Sequence, residues 1–153
     1  MSKGLSFTTK ETPIIDPVQQ QLDSLQPSIA AIHQMASEWG LNTFIVDDAI
    51  AKRNPQGAIK AIQEMRNRVD AAMQELQMFV CDSAKAIQDA KRHGIDSNSL
   101  VGVLVRIQAD KRDWIMGKAT FKQMLSSLKQ AIANATTPNT SINMPKELKS
   151  GSD

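Results

Sequence analysis

Few side chains in this sequence have the type and spacing that chemistry requires. The two histidines, His33 and His93, stand alone, and the single cysteine, Cys81, has no histidine or other base near it in the sequence. Asp47 and Asp48 are adjacent, but neighbouring residues of a helix point about 100° apart, which is poor geometry for sharing a metal ion or a proton. The sequence has no glycine-rich phosphate loop, no paired-histidine metal motif and no CxxC pair. We therefore expect no catalytic residue, no metal or cofactor, and no small-molecule substrate.

A second group of side chains has the charge needed to bind phosphates. Four lysines border the apolar face of the last long amphipathic segment and form a candidate basic face: Lys111, Lys118, Lys122 and Lys129. Binding to nucleic acid requires basic side chains that are not already paired with acids, preferably beside aromatic rings. Acidic residues interleave with the basic ones here, and residues 94–134 carry six basic and three acidic side chains. Nucleic-acid binding is therefore the alternative function. The favoured interpretation is that the lysines have a structural role and pair with acidic side chains.

The composition indicates a helical protein of one domain. The chain has 153 residues, a hydrophobic fraction of 41%, only 4% aromatic residues and no tyrosine. A chain of this length can bury a core without a metal or a disulfide, and its non-aromatic composition is typical of helices. We predict a single helical domain over 16–134, between flexible polar tails at 1–15 and 135–153.

Expectations about location follow from the apolar runs and the cysteine content. The first residues contain no apolar core of a signal peptide, and no apolar run approaches the length of a membrane span. One cysteine cannot form an internal disulfide, so nothing indicates an oxidising compartment. We expect a cytoplasmic protein without a membrane span, while export by a specialised route stays open.

The first long segment has the signature of an interrupted helix. Asp16 is the expected cap, Pro17 occupies the first helical position, and Gly40 follows the end. The apolar positions between them alternate in steps of four and three, which is a heptad seam. Pro27 lies inside this seam and lacks a backbone N–H, so it predicts either a kink or a second helix. The next stretch, 41–53, is ambiguous, and a short helix or a loop is favoured over a strand.

Two longer seams follow and predict an antiparallel hairpin of 55–93 with 97–134. The first has Asn54 as its cap and Gly94 after its end. Because the connection is very short, the second helix must fold back on the first. The apolar run at 100–107 also fits a buried strand, but the seam continues beyond it at helical spacing. The predicted fold class is all-α: an antiparallel helical bundle of three main helices, in which the long hairpin resembles a coiled coil.

Opposite charges set the expected register of this hairpin. In an antiparallel pair, the numbers of facing residues add to a constant, and one constant matches three acids to three of the lysines. The pairs are Asp82 with Lys111, Glu75 with Lys118, and Glu64 with Lys129. The same register brings Phe79 opposite Trp114. Each exposed pair contributes on the order of 0.2–1 kcal/mol, so such pairs set the register more than the stability.

Apolar surface that the main seam does not use points to a protein partner. Four residues of the last segment lie away from the seam and form the candidate partner interface: Val101, Val105, Ile115 and Met116. Either the 41–53 segment or another subunit would cover them. Long heptad seams with polar tails are typical of filament, coat, adaptor and secretion-chaperone proteins. We therefore predict a non-catalytic protein–protein interaction or assembly protein, either a homo-oligomer or the binder of a protein partner, and not an enzyme.

Overall fold

The structure, a computed structural model, describes residues 16–136, and this part of the chain contains six α-helices and no strand. In chain order the helices are α1 (Pro17–Ser24), α2 (Gln26–Trp39), α3 (Phe44–Ala51), α4 (Pro55–Arg92), α5 (Asn98–Ala109) and α6 (Arg112–Thr136). The all-α class is confirmed, and the run at 100–107 is helical. The predicted tail at 1–15 and all of the other tail beyond Thr136 lie outside the described residues.

The helices belong to two compact units. The first holds residues 16–37 and 41–69, and the second holds residues 38–40 and 70–136. Helix α4 contributes residues to both units. The single domain expected over 16–134 stays a prediction.

The first helix begins at the expected cap, Asp16, and the helix is interrupted next to the expected proline, Pro27. The Asp16 carboxylate accepts hydrogen bonds from the backbone N–H groups of Val18, at 3.0 Å, and Gln19, at 3.3 Å. These bonds satisfy donors that a helix N-terminus otherwise leaves unpaired. Helix α1 ends before Leu25, and α2 starts with Pro27 in its first turn, where a missing N–H costs no helical hydrogen bond. The interruption predicted at Pro27 is confirmed.

The ambiguous stretch 41–53 contains a helix, α3. Its Val46 and Ala49 are buried. The core of the first unit combines apolar residues of α2, α3 and the start of α4: Ile29, Ile32, Ala36, Val46, Ala61, Ile62 and Met65. A short apolar run that resembles a strand in the sequence is thus one wall of a helical core.

Three helices end with one residue in the left-handed backbone conformation. After α2 and α4 this residue is a glycine, Gly40 with φ of 70° and Gly94 with φ of 66°, as expected for helix ends. After α3 the same position is occupied by Arg53, with φ of 53°. A side chain makes this conformation less favourable than it is for glycine, by about 1 kcal/mol. The Arg53 guanidinium forms an ion pair with Asp16 and donates to Gln19 Oε1 at 3.1 Å, which ties this corner to the start of α1.

The predicted second limb of the hairpin, 97–134, is two helices and not one. Helix α5 ends at Ala109, and Asp110 is extended, with φ of −148° and ψ of 110°. The Asp110 carboxylate accepts a hydrogen bond from the Arg112 backbone N–H at 3.0 Å. It also accepts three from the Arg112 guanidinium, at 3.0 and 3.2 Å from Nε and at 2.8 Å from Nη2. The expectation of one continuous helix was wrong because Asp110 caps a new helix.

Helix α6 runs in the same direction as the adjacent part of α4. Lys122 contacts Glu75, and Lys129, seven residues later, lies 4.0 Å from Asp82, also seven residues later. Residue numbers therefore rise together on the two helices, whereas in an antiparallel pair one set falls as the other rises. Glu64, the partner expected for Lys129, forms an ion pair within its own helix. The predicted register was wrong, and the antiparallel three-helix arrangement is not confirmed.

Two contacts expected from that register nevertheless occur. Lys118 donates a hydrogen bond to Glu75 at 2.9 Å, and the ring centroids of Phe79 and Trp114 lie 4.9 Å apart. Trp114 is fully buried and also stacks on Phe121, with 6.5 Å between the ring centroids. Three aromatic rings therefore pack together in the core of the second unit.

Candidate protein-interaction surface

A groove runs between α5 and α6 on the surface of the second unit. It is lined on α5 from Asn98 to Arg106 and on α6 from Asp113 to Met124. The two helices are antiparallel, because the end of α5 meets the start of α6 at Arg106 and Asp113, and the start of α5 lies beside the later part of α6. The groove has a volume of about 670 Å³ and continues into a hollow of about 460 Å³ beside the connection between α4 and α5. The two spaces share three lining residues: Ser99, Thr120 and Met124. We call the combined space the α5–α6 groove.

Glycines leave both walls of this groove without a side chain at one position. A Cβ added at Gly102 would meet no atom within 4 Å, so this part of α5 is open. On α6, a Cβ added at Gly117 would lie 2.6 Å from Cζ of Phe121, whose ring occupies the space beside the glycine. Phe121 is only 5% exposed, and the Arg106 guanidinium carbon lies 5.6 Å from its ring centroid. The groove therefore has the Phe121 ring at its floor, and its α5 wall is open at Gly102 because that position has no side chain.

Three of the four residues in the candidate partner interface are exposed at this surface. Met116 lines the groove and is 86% exposed. Val105 is 62% exposed and Val101, one helical turn earlier, is 39% exposed, while Ile115 is half-buried. We call Val101 and Val105 the α5 ridge, because residues four apart lie on one side of a helix. The ridge and the groove are neighbouring features of the same helix.

Two lysines of the candidate basic face, Lys118 and Lys122, share the carboxylate of Glu75 on α4. Lys118 donates to Oε1 of Glu75 at 2.9 Å, and Lys122 donates to Oε2 at 2.6 Å. These hydrogen bonds hold the pKa of Glu75 below its ordinary value, and the bond from Lys122 has the larger effect. The Glu75 side chain is about one-third exposed, so solvent screens the interaction in part. The pairing fixes the side of α6 that faces α4.

The other two lysines of the candidate basic face also have partners. Lys129 lies 4.0 Å from Asp82, and the Lys111 ammonium nitrogen lies 5.4 Å from the centroid of the buried Trp39 ring. A cation over an aromatic face is attracted to it by about 0.5–1 kcal/mol at an exposed site. The expected pair of Asp82 with Lys111 does not form. Each of the four lysines therefore lies beside a carboxylate or a ring of its own chain.

A hollow in the first unit holds a histidine beside a carboxylate. His33 of α2 and Asp47 of α3 are joined by a hydrogen bond of 2.7 Å between Nε2 and Oδ1. The Thr43 hydroxyl donates to the other oxygen of Asp47 at 2.8 Å. Partial burial raises the pKa of Asp47, but the bonds from Thr43 and His33 outweigh it and leave that pKa below its ordinary value. Roughly half of each paired side chain is exposed, so the pair links two helices at the surface and is not an enclosed site for acid–base chemistry.

The other reactive side chains are at the surface or at a helix end. Cys81 is exposed, and Nδ1 of His93 lies 2.8 Å from the Asp89 carbonyl oxygen at the end of α4. Within residues 16–136, no three His, Cys, Asp or Glu side chains are grouped in a way that could hold a metal ion. No helix in this same range is both long enough and apolar enough to cross a membrane.

Comparisons of this chain with protein-family models, with curated proteins and with solved structures give no match. A function must therefore be argued from the surfaces of the molecule itself.

The α5–α6 groove was missed by the sequence reasoning. It exists because the chain turns at Asp110, and without that turn α5 and α6 are one rod with no space between them. Gly102 and Gly117 were the available signal, because a glycine inside a helix costs about 1 kcal/mol relative to alanine. Two glycines in one helical segment indicate that close packing or an open surface is needed there.

Proposed function

We propose that this protein is a non-catalytic interaction or assembly protein that binds a polypeptide through the α5–α6 groove and the α5 ridge. The observation that carries the proposal is the 86% exposure of Met116 at a groove whose floor includes Phe121. Clustered exposed apolar side chains are typical of binding surfaces, since isolated folding would favour their burial. A methionine is suited to such a surface because its flexible thioether adapts to a partner's shape.

The distribution of charge supports a polypeptide ligand. No charged residue occurs from Ser97 to Val105. The charged residues that line the groove lie at its two ends, Asp96 at one end and Arg106 with Asp113 at the other. An apolar centre surrounded by polar and charged groups is the usual anatomy of an interface between proteins.

Nucleic-acid binding by the four lysines is the less favoured function. Phosphate binding depends on the charge that a protein brings to the surface unpaired. Lys118 and Lys122 already donate to Glu75, which reduces the positive charge that they offer. We expect no binding when a mixed pool of DNA and RNA is titrated at low salt. Binding that weakens steeply as salt rises would favour this alternative.

A photo-crosslinking experiment in the source organism tests the proposal. A photoreactive amino acid replaces Met116 in one variant and Gln77, an exposed residue of α4, in the control. We expect a discrete adduct between residue 116 and a polypeptide, and none of that mass from residue 77. The same adduct from both positions, or no adduct from residue 116, contradicts the proposed function.

A further inference from the structure

We infer that the polypeptide bound at this surface is a second copy of this chain, in a symmetric dimer where the α5 ridge of each copy enters the α5–α6 groove of the other. This inference rests on the proposed function, because it names the occupant of the same surface. It follows from the shape, the charge and the size of that surface.

The surface contains both parts of a complementary pair. Val101 and Val105 project from α5 in the row of residues four apart that packs into grooves on other helices. The groove beside them is open at Gly102, where a side chain would meet nothing within 4 Å. A two-fold axis brings the ridge of one copy to the groove of the other and, by symmetry, repeats the contact. A partner without this sequence would need to supply a ridge of its own.

The charges at the two ends of the groove are also self-complementary. When two copies of α5 run in opposite directions about an axis at the level of residue 101, Asp96, two residues before α5, comes to the level of Arg106 of the other copy, since both are five residues from 101. The Arg106 side chain is 63% exposed, and its ion pair with Asp113 is 4.0 Å long, so its guanidinium retains donors for a second carboxylate. Because 97–105 carries no charge, no like charges face each other at the axis.

The surface is large enough for a weak dimer. The α6 side of the groove runs from Asp113 to Ala131, which is about 27 Å at a rise of 1.5 Å per residue. Two adjacent helices are about 20 Å wide, so each copy offers roughly 500 Å² and the pair about 1,000 Å². That total lies near the lower limit for specific interfaces between proteins. We therefore expect a dimer that dissociates on dilution.

Sedimentation velocity of the full chain, from micromolar to millimolar concentration, tests the inference. We expect the wild type to change from monomer to dimer over this range. Val105→Glu places a charge on the ridge and is expected to raise the dissociation constant at least about tenfold. Met78→Glu is the matched control, because Met78 is exposed to a similar extent, 68% against 62%, but belongs to α4. This control is expected to dimerise like the wild type.

A second variant probes the groove without changing the ridge. Gly102→Leu fills the open wall with a side chain that has room in the monomer, so helical content by circular dichroism should be unchanged while dimerisation is lost. If Val105→Glu and Gly102→Leu both dimerise like the wild type, or if Met78→Glu is equally impaired, the inference is overturned.

A monomeric wild type whose residue 116 crosslinks to a different protein refutes the second copy and leaves the proposed function standing. Absence of any adduct at residue 116 refutes the proposed function itself.

Discussion

Gly102 and Gly117 occupy opposite walls of one groove, yet the consequences of adding a methyl group differ. At Gly117 the new Cβ would lie 2.6 Å from Cζ and 2.8 Å from Cε2 of Phe121, a buried ring that stacks on Trp114. The ring has little freedom to move, because it is only 5% exposed and the Arg106 guanidinium carbon lies 5.6 Å from its centroid. At Gly102 the Cβ would meet only solvent.

We expect Gly117→Ala to lower the free energy of unfolding by about 1 kcal/mol, because the cost of overpacking, about 1–3 kcal/mol, exceeds the gain in helix propensity. The matched variant Gly102→Ala should raise it by about 0.5–1 kcal/mol through helix propensity alone. Urea denaturation at a concentration where the chain is monomeric measures both. A stabilising Gly117→Ala would show that the Phe121 ring does not occupy the space beside this glycine.

At the scale of helices, the corner at Asp110 decides how the second unit folds. Its carboxylate caps α6 through the Arg112 N–H and also binds the Arg112 guanidinium. We expect Asp110→Ala to lower the Tm by roughly 5 °C, because α6 loses a cap. Asp110→Asn keeps a side-chain oxygen that can accept a hydrogen bond from the backbone, so its Tm should fall by less. Equal losses for the two variants would mean that the guanidinium pair, and not the cap, stabilises the corner. Differential scanning calorimetry makes the comparison.

The same corner shows why part of the fold was predictable and part was not. Caps and terminal glycines act within a few residues, so Asp16, Asn54 and Gly94 could be assigned from the sequence. The break at Asp110 was obscured because the apolar seam resumes in phase: Trp114 follows Ile107 by seven residues. The missing apolar residue between them was the signal of a helix boundary, and the aspartate supplied the cap.

The direction of α6 depends on contacts distant in the sequence, and charge spacing alone did not determine it. Acidic residues repeat every seven residues on α4. The lysines form two pairs with the same spacing, Lys111 with Lys118 and Lys122 with Lys129. A repeat of this kind matches itself in both directions. The exposed residues Val101, Val105 and Met116 were identified from the helical periodicity, whereas the groove beside them required the correct direction of α6.

A pair of double-mutant cycles tests the direction of α6. We expect Glu75→Gln and Lys122→Met to be coupled by about 0.5 kcal/mol, because their atoms lie 2.6 Å apart on a partly exposed surface. Asp82→Asn with Lys111→Met, the antiparallel pairing, should show additive effects. Coupling of Asp82 to Lys111 in urea denaturation, with none between Glu75 and Lys122, would restore the antiparallel register.

At the scale of the whole molecule, the paired carboxylates make stability depend on acidity. The folded chain lowers the pKa of several carboxyl groups below their ordinary values of 3.8 for aspartate and 4.5 for glutamate: Asp16, Asp47, Glu75 and Asp110. A lowered pKa means that the folded state binds protons less readily than the unfolded chain. The stabilisation is therefore complete above the unfolded pKa and is lost as the pH falls through the folded pKa.

We expect these groups to contribute a constant stabilisation above about pH 5 and a falling one below about pH 4. Glu75→Gln removes one of them, so its free energy of unfolding should fall less steeply in acid than that of the wild type. Urea denaturation at a series of pH values supplies both curves. Parallel curves for the two proteins would show that Glu75 does not titrate differently in the folded and unfolded states.

The most direct test of where this protein associates uses its own methionines as probes. In a methyl NMR spectrum of the full chain labelled at the methionine methyl groups, Met116 and Met124 report on the α5–α6 groove, while Met73 and Met78 report on the exposed side of α4. As the concentration rises, we expect the signals of Met116 and Met124 to shift or broaden and those of Met73 and Met78 to stay unchanged. Association that perturbs Met73 and Met78 while sparing Met116 and Met124 would contradict the assignment of the binding surface to α5 and α6.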